Sequence, residues 1–384
     1  MPDNTIRGRF APSPSGRLHL GNMLTFLLAW LDVRARGGTM VFRLEDLDPE
    51  RSWEHYADLM ADDLLWLGLD WDEGWRPGSQ DSRQGTRTER YTAALDALTE
   101  RGMVYDCYCS RAERLAASAP HPGEPREAGC PCRTLSAQEV QARLRMGRHA
   151  AKKLEVADAD ISFIDGHYGP QKTELRRGRD DFLIRRSDGV FAYQLAVSVD
   201  DLEMGITRVV RARDLLDSTP RQIWLIETLG GRAPEYAHAP LLVAPDGRKL
   251  SKREGDLNME ALRQKYAPEQ LTGKLAKLVG LRPTDAPVTA AELAAAVFCF
   301  AEAGCKLAVV EMADAGLAAA LPRMPVCAVT SIGPDGVSRS LERSAALAAG
   351  VMREGAVCVT APEQPKAALS ELIVAAGKAN CELV

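Results

Sequence analysis

The sequence predicts an α/β fold, a parallel sheet covered by helices, and three observations carry that expectation. First, "TIRGRFAP", a helical pattern from Leu18 to Arg36 and "TMVFRLED" read as strand, helix, strand. Second, "SWEHYADLMADDLLWLG" and "RYTAALDALTERG" repeat apolar residues at helical spacing and would cover such a sheet. Third, the stretch from Tyr105 to Arg179 is rich in Arg, Pro, Gly, Ala and Cys, which breaks that rhythm and marks an insertion.

The later elements follow by the same reasoning. "DFLIRRSDGVFAYQLAVSVDD" reads as a hairpin turning at Ser187-Asp188-Gly189, and "STPRQIWLIETLG" as a helix capped by Ser218 or Thr219 ahead of Pro220. From Phe298 to Val384, the apolar runs "KLAVVEM", "VCAVTSI" and "AVCVTAP" alternate with helical segments, as in a small parallel α/β unit. The expected division is a core over residues 1–297 and an appendix over 298–384.

With 384 residues, 46% of them apolar, the chain can bury a large core. Its 48 basic and 53 acidic residues leave a net charge of -5, so the surface as a whole does not attract a polyanion. Any nucleic-acid contact then belongs to local patches, with "RLRMGRHAAKK" and "ELRRGRDDFLIRR" the candidates; solvated faces are the alternative. "MPDNTIRGRF" has no apolar signal core, and Glu302, Lys306, Glu311 and Asp314 break the later apolar stretches, so a membrane span is not expected and a cytoplasmic location is. Nine cysteines in such a chain suggest reduced thiols or a metal site.

"RFAPSPSGRLHLGN" is the first chemical signal. Pro12 and Pro14 stiffen the chain after the first strand, Gly16 frees it, and His19-Leu20-Gly21-Asn22 opens the helix. An imidazole then stands beside a positive helix terminus, where phosphates bind well. Taken singly, His19 is a helix cap. The second signal is "GRKLSKREG", a glycine-flanked loop with Lys249, Lys252 and Arg253 around Ser251. By itself it is a solvated charge run.

Together, in this order and so far apart, the two segments resemble the signatures of class I aminoacyl-tRNA synthetases, and "GRFAPSPSGRLHLGN" with "RLEDLD" resembles the glutamyl branch. The resemblance implies a Rossmann-like class I synthetase catalytic domain. It also implies that His19 and Lys252 bracket the triphosphate of Mg²⁺-bound ATP, with Gly21 and Asn22 at the helix start and Lys249 and Ser251 holding the loop. Fixed donors placed where negative charge develops would lower the barrier to adenylation, and no covalent nucleophile is required.

Selection of L-glutamate calls for a cation facing its side-chain carboxylate and an anion facing its ammonium group, roles that suit Arg9 and Glu45. The family's matching positions add Tyr193 of "VFAYQLA", Arg211 of "RVVRARDL", and Ala11 and Ser13 of the opening stretch. The alternatives are a strand-edge salt bridge for Arg9 and Glu45 and a packed aromatic for Tyr193.

Cys107 and Cys109, then Cys130 and Cys132, form two close pairs with twenty residues between them in a polar, loop-rich segment. Two such pairs can close a tetrahedral Zn²⁺ site, although C-x-C is a less common spacing than C-x₂-C. The glutamyl family resembles the chain here too, many members carrying a zinc module with a C-x-C first half. Four protein ligands would make that zinc structural, bracing an insertion near the acceptor end of a tRNA.

The synthetase-like text ends near Val297, about the length of the truncated relatives known as glutamyl-queuosine tRNA(Asp) synthetases. That resemblance implies transfer of glutamate to the queuosine base in the anticodon stem-loop of tRNA(Asp), at the wobble position. The other readings are an ordinary or discriminating glutamyl-tRNA synthetase charging tRNA(Glu), or a non-catalytic relative. The tail resembles an internal part of folylpolyglutamate or dihydrofolate synthase, but its glycine-rich loop is degraded to "ADAGLAAAL", Gly336 stands where that family has histidine, and no G-x-x-x-x-G-K-S/T loop occurs. An inert or structural appendix is the expectation.

Overall fold

The computed structural model of the chain describes residues 5–110, 129–242 and 257–295, together with the backbone of three strands farther on. Strand β1 (Arg7–Phe10), helix α1 (Leu20–Arg34) and strand β2 (Thr39–Phe42) form the expected opening unit. The two strands pair in parallel, Arg9 opposite Val41 and Phe10 opposite Phe42, and β3 (Glu73–Gly74) joins beyond β2. α1 starts at Leu20 because His19 caps it, and it lies so close to β1 that a methyl group on Gly8 would collide with Val33. Helices α2 (Glu54–Trp66) and α3 (Thr88–Glu100) follow, as the apolar spacing requires.

The insertion carries regular structure. Strand β4 (Val104–Cys107) is followed by helix α4 (Ala137–Arg145), β5 (Ala151–Leu154), β6 (Ala159–Asp165), β7 (Gly169–Leu175) and β8 (Phe182–Arg185). β4, β5 and β8 make an antiparallel sheet, and β6 and β7 a hairpin in register from Ala159–Leu175 to Asp165–Gly169. α4 has the capping box its sequence encodes, Ser136 and Glu139 bonding to each other's backbone N–H groups.

The turn at Ser187-Asp188-Gly189 forms, with Gly189 at φ 91° and the Arg186 N–H donating to Val190 O at 2.8 Å. The hairpin expected around it does not. Only a single bridge, Arg185 to Phe191, continues it, and "YQLAVSVDDLE" is helix α5 (Tyr193–Glu203). Its apolar run was compatible with either element; as a helix it buries Leu195, Ala196 and Val199 in the core shared with Tyr91, Phe182 and Trp224. Strand β9 (Arg208–Ala212), helix α6 (Thr219–Thr228) and strand β10 (Glu235–Ala239) complete a second parallel pair, with Arg211 opposite His238. The Ser218 side chain makes no capping bond, and Thr219 lies inside α6.

β9 runs beside β1, where the Thr207 N–H donates to Arg7 O at 2.9 Å. β1 thus sits between its own β2 partner and β9, the place where an open α/β sheet reverses its winding and opens a crevice beyond its carboxyl ends. Helix α7 (Met259–Lys265) ends the first of two compact units, Met1–Tyr266 and Ala267–Val384. The second contains helix α8 (Pro268–Leu278) and the strands β11 (Met324–Val329), β12 (Met352–Thr360) and β13 (Glu382–Leu383), paired in parallel in that order. β11 and β12 fall on "VCAVTSI" and "AVCVTAP"; "KLAVVEM" lies outside the described residues. Among the described residues no helix is long and apolar enough to cross a membrane.

Candidate active site

A cavity of about 440 Å³ opens beyond the carboxyl ends of β1, β9 and β10. Of the residues singled out in the sequence, Arg9, Ala11, Ser13, His19, Gly21, Asn22, Glu45, Tyr193 and Arg211 all line it. Lys249, Ser251 and Lys252 lie outside the described residues. The described chain stops at Leu242, on the cavity wall, and resumes next to it: Asn258 forms a bridge with His19, and the Met259 N–H donates to Leu18 O at 2.9 Å.

His19 acts as both cap and wall. Its Nδ1 accepts the N–H groups of Gly21 at 3.1 Å and Asn22 at 3.3 Å, and the Asn22 side chain returns an acceptor to the His19 N–H at 3.2 Å. With Nδ1 accepting, the ring carries its proton on Nε2. An N–H donor and the partial positive charge of the α1 terminus therefore share one end of the cavity, a suitable place for phosphate oxygens.

The strand-edge salt bridge between Arg9 and Glu45 does not form. Arg9 Nε donates to Asp201 at 3.3 Å, while Glu45 accepts from Arg43 at 3.2 Å. Arg43 is fully buried, and its Nη1 also donates to Asp201 at 2.6 Å. Burial opposes ionisation of Asp201, but Arg43 and Arg9 outweigh it and hold the carboxyl below the usual range. Burial pushes the Glu45 carboxyl up, and the pull of Arg43 and Arg9 does not cancel it. A carboxylate left short of positive charge beside a cavity is suited to a cationic ligand group. Among the described residues no acceptor is recorded for Nη1 or Nη2 of Arg9, so its forked edge remains for a planar anion.

Arg211 differs. It is 3% exposed, and all five of its donors are engaged. Nε donates to His238 Nε2 at 3.1 Å, Nη1 to Gln222 at 2.6 Å and to the Tyr193 hydroxyl at 3.4 Å, and Nη2 to Thr219 at 2.7 Å and Leu215 O at 3.3 Å. Tyr193 is therefore no mere packed aromatic: its hydroxyl joins this network, although burial pushes its ionisation upward.

Sequence reasoning did not find Arg43, Asp201, Asp165, Thr219's hydroxyl role, Gln222 or His238. The available signal was charge inside apolar text: arginine ending "TMVFR", and two aspartates ending "LAVSVDD".

In the insertion, the four cysteine sulfurs lie within 4.8 Å of one another, with Cys107–Cys130, Cys109–Cys130 and Cys109–Cys132 at 3.6, 3.8 and 3.5 Å. Tetrahedral thiolates 2.3 Å from a zinc ion stand about 3.8 Å apart, a spacing these three pairs already match. The Tyr108 N–H donates to Cys132 Sγ at 3.3 Å, and Arg148 holds Tyr108 O at 3.0 Å. In the basic segment "ELRRGRDDFLIRR", Arg176, Arg177, Arg179 and Arg186 each pair with a carboxylate of the chain itself.

Residues 5–296 match the family described as "tRNA synthetases class I (E and Q), catalytic domain". The chain belongs to that family. It is similar to the Glutamyl-Q tRNA(Asp) synthetase of Nitratidesulfovibrio vulgaris, 47% identical over 73% of this chain and 89% of that protein. The Glutamyl-Q tRNA(Asp) synthetase of Symbiobacterium thermophilum is also 47% identical, over 74% of this chain and 90% of that one. Among solved structures, a glutamate tRNA ligase from Elizabethkingia meningosepticum in complex with its amino acid superposes with a TM-score of 0.62 at 25% identity. That match covers 76% of this synthetase-family chain but 64% of the solved ligase, just under two thirds of its length.

Proposed function

We propose that the protein activates L-glutamate with ATP and transfers the glutamyl group to the queuosine base of tRNA(Asp), at the wobble position of its anticodon stem-loop. The observation that carries the activation step is the cavity itself: the open fork of Arg9, the under-compensated carboxylate of Glu45 and the capped helix end at His19 all line it. In this reading Arg9, Arg211 and Tyr193 together receive the side-chain carboxylate, and Glu45 receives the ammonium group. Ala11 and Ser13 close the pocket without competing charge. The α-carboxylate oxygen attacks the α-phosphorus, the bond to the bridging oxygen breaks, and pyrophosphate leaves. Added charge on the phosphorus oxygens meets the Nε2–H of the His19 ring and the positive end of α1.

Lys249, Ser251 and Lys252 belong to the same step. In the sequence Lys252 stands six residues before Asn258, the residue bridged to His19. ATP enters as its Mg²⁺ complex. In the second step a nucleophile of the queuosine attacks the acyl carbon and AMP leaves. Support for that acceptor is the 47% identity to proteins bearing that name, over nine tenths of their length. The location goes with the substrates, in the cytoplasm.

Cys107, Cys109, Cys130 and Cys132 would hold Zn²⁺ in a closed shell, which braces the insertion and leaves no position for water. The segment 298–384 adds no chemistry in this reading, and folate-dependent ligation of glutamate by the full chain would overturn that part. The principal test is pyrophosphate exchange with glutamate and ATP in the absence of RNA, followed by transfer to tRNA(Asp) with and without queuosine and to tRNA(Glu). Exchange without RNA and labelling of queuosine-bearing tRNA(Asp) alone are expected. Labelling of tRNA(Glu) would make the protein a glutamate–tRNA ligase, and no exchange under any condition would make it non-catalytic.

A further inference from the structure

Arg211 is buried against partners that differ in strength along its two sides. Three short bonds, to Gln222 at 2.6 Å, Thr219 at 2.7 Å and His238 at 3.1 Å, fix the plane of the guanidinium. The two long ones, to Tyr193 at 3.4 Å and Leu215 O at 3.3 Å, go to residues that line the cavity. One side is clamped and the other is available for exchange with a substrate oxygen.

His238 makes the clamp selective. It stands opposite Arg211 on the neighbouring parallel strand, fully buried, so their side chains share one face of the sheet. Arg211 Nε brings a donor to His238 Nε2, which must therefore present a lone pair. Asp165 fixes that tautomer by accepting from His238 Nδ1 at 2.5 Å. The carboxylate is itself fixed: its Oδ1 accepts the N–H groups of His167 at 3.0 Å and Tyr168 at 2.9 Å. Asp165 ends β6, and the next residue, Gly166, donates to Tyr236 O at 2.9 Å, tying the hairpin to β10. Tyr236 in turn lies parallel to His238 at 6.3 Å and beneath the Arg211 guanidinium at 5.1 Å.

We propose that Asp165 and His238 are positioning residues that set the tautomer and angle needed to aim Arg211 at the glutamate side-chain carboxylate. The inference rests on the glutamate reading of the cavity. Neither residue touches substrate; both act through Arg211, as outer partners orient the ligands of a metal.

Three variants of the full chain test it: His238→Phe, which removes the ring's bonds to Arg211, Thr219 and Asp165, His238→Gln, which keeps one acceptor and one donor, and Asp165→Asn. The readouts are glutamate-dependent pyrophosphate exchange and the ratio of kcat/KM for glutamate over glutamine. For His238→Phe the KM for glutamate should rise about 10- to 100-fold with a smaller change in kcat, and the glutamate/glutamine ratio should fall. His238→Gln should recover much of both. A fall in kcat with KM and the ratio unmoved would mark a purely structural histidine and overturn the proposal. An independent arm needs no substrate: ¹⁵N imidazole shifts of His238 at neutral pH should show the Nδ1–H tautomer in wild type and lose it in Asp165→Asn. The Nε2–H tautomer in wild type would overturn the proposal outright. Absence of glutamate-dependent exchange in the wild type would count against the glutamate reading, and the tautomer would still decide the clamp.

Discussion

Arg43 donates to Asp201 across 2.6 Å with both side chains buried, which fastens the end of β2 to the end of α5. Asp201 also receives Arg9, and Arg43 also holds Glu45. The two opposite charges proposed to face glutamate therefore depend on one buried pair. Asp201→Asn should cost about 3–5 kcal/mol of stability in urea unfolding, since it strips charge from a buried arginine. It should also raise the KM for glutamate in pyrophosphate exchange. Arg43→Lys should not behave as a mild change, because a single ammonium cannot reach both carboxylates with the geometry of a guanidinium.

Gly21 separates stability from catalysis. A methyl group there would stand 3.1 Å from Cε1 and 3.2 Å from Nδ1 of His19. Gly21→Ala gains helix propensity in the first turn of α1 but displaces the imidazole that caps it, two effects of about 1 kcal/mol each that offset, so the melting temperature should change little. The displaced imidazole should lower exchange by about tenfold or more. Equal rates for variant and wild type would remove His19 from the phosphate end of the cavity.

The cysteine set predicts one zinc per chain. Cys130→Ser and Cys132→Ser should each lower the zinc content measured on purified protein and lower the melting temperature. The sulfurs pack with Tyr105, Tyr108, Leu135, Val140 and Ala150, none of which lines the cavity. Exchange with glutamate and ATP should therefore survive metal loss better than transfer to RNA. Unchanged zinc in both variants would exclude the site.

Burial pulls the pKa of His238 from its ordinary value of 6.5 down to about 4. Between those two values the unfolded chain binds a proton that the folded chain refuses, so this histidine makes stability fall as pH falls through that window. Glu45, shifted upward by burial, works the other way, so the histidine contribution is read as the difference between wild type and His238→Phe from pH 6.5 down to about 4. Urea midpoints measured across that interval should decline for the wild type and decline less steeply for His238→Phe. Parallel slopes would mean that His238 is protonated in the folded state.

The parts of the molecule legible in its sequence are those governed by neighbours in the chain. Apolar spacing placed α1 between Leu18 and Arg36, and the helix occupies Leu20–Arg34. The cysteine pairs were visible because each half of the cluster is local. Ser136 and Glu139 make a capping box that four consecutive residues suffice to encode. The hidden parts depend on distant partners. Asp165 and His238 are 73 residues apart, and Arg43 and Asp201 are 158 apart, so no periodicity connects them. α5 was misread for a related reason. "FAYQLAVSV" suits a strand or a buried helix equally, and the choice is made by the burial of Asp200 and Asp201 against Gln84, Arg87 and Arg43, all from elsewhere in the chain.

The β6–β7 hairpin looks from its exposed side chains, Ile164 and Tyr168 among them, like a detachable ornament. Asp165, at the turn end of the hairpin, makes it otherwise. Any graft that swaps this hairpin between relatives, or any trimming that shortens it to obtain a minimal enzyme, would remove the keystone behind Arg211 and leave a correctly folded shell with a blunted choice of amino acid.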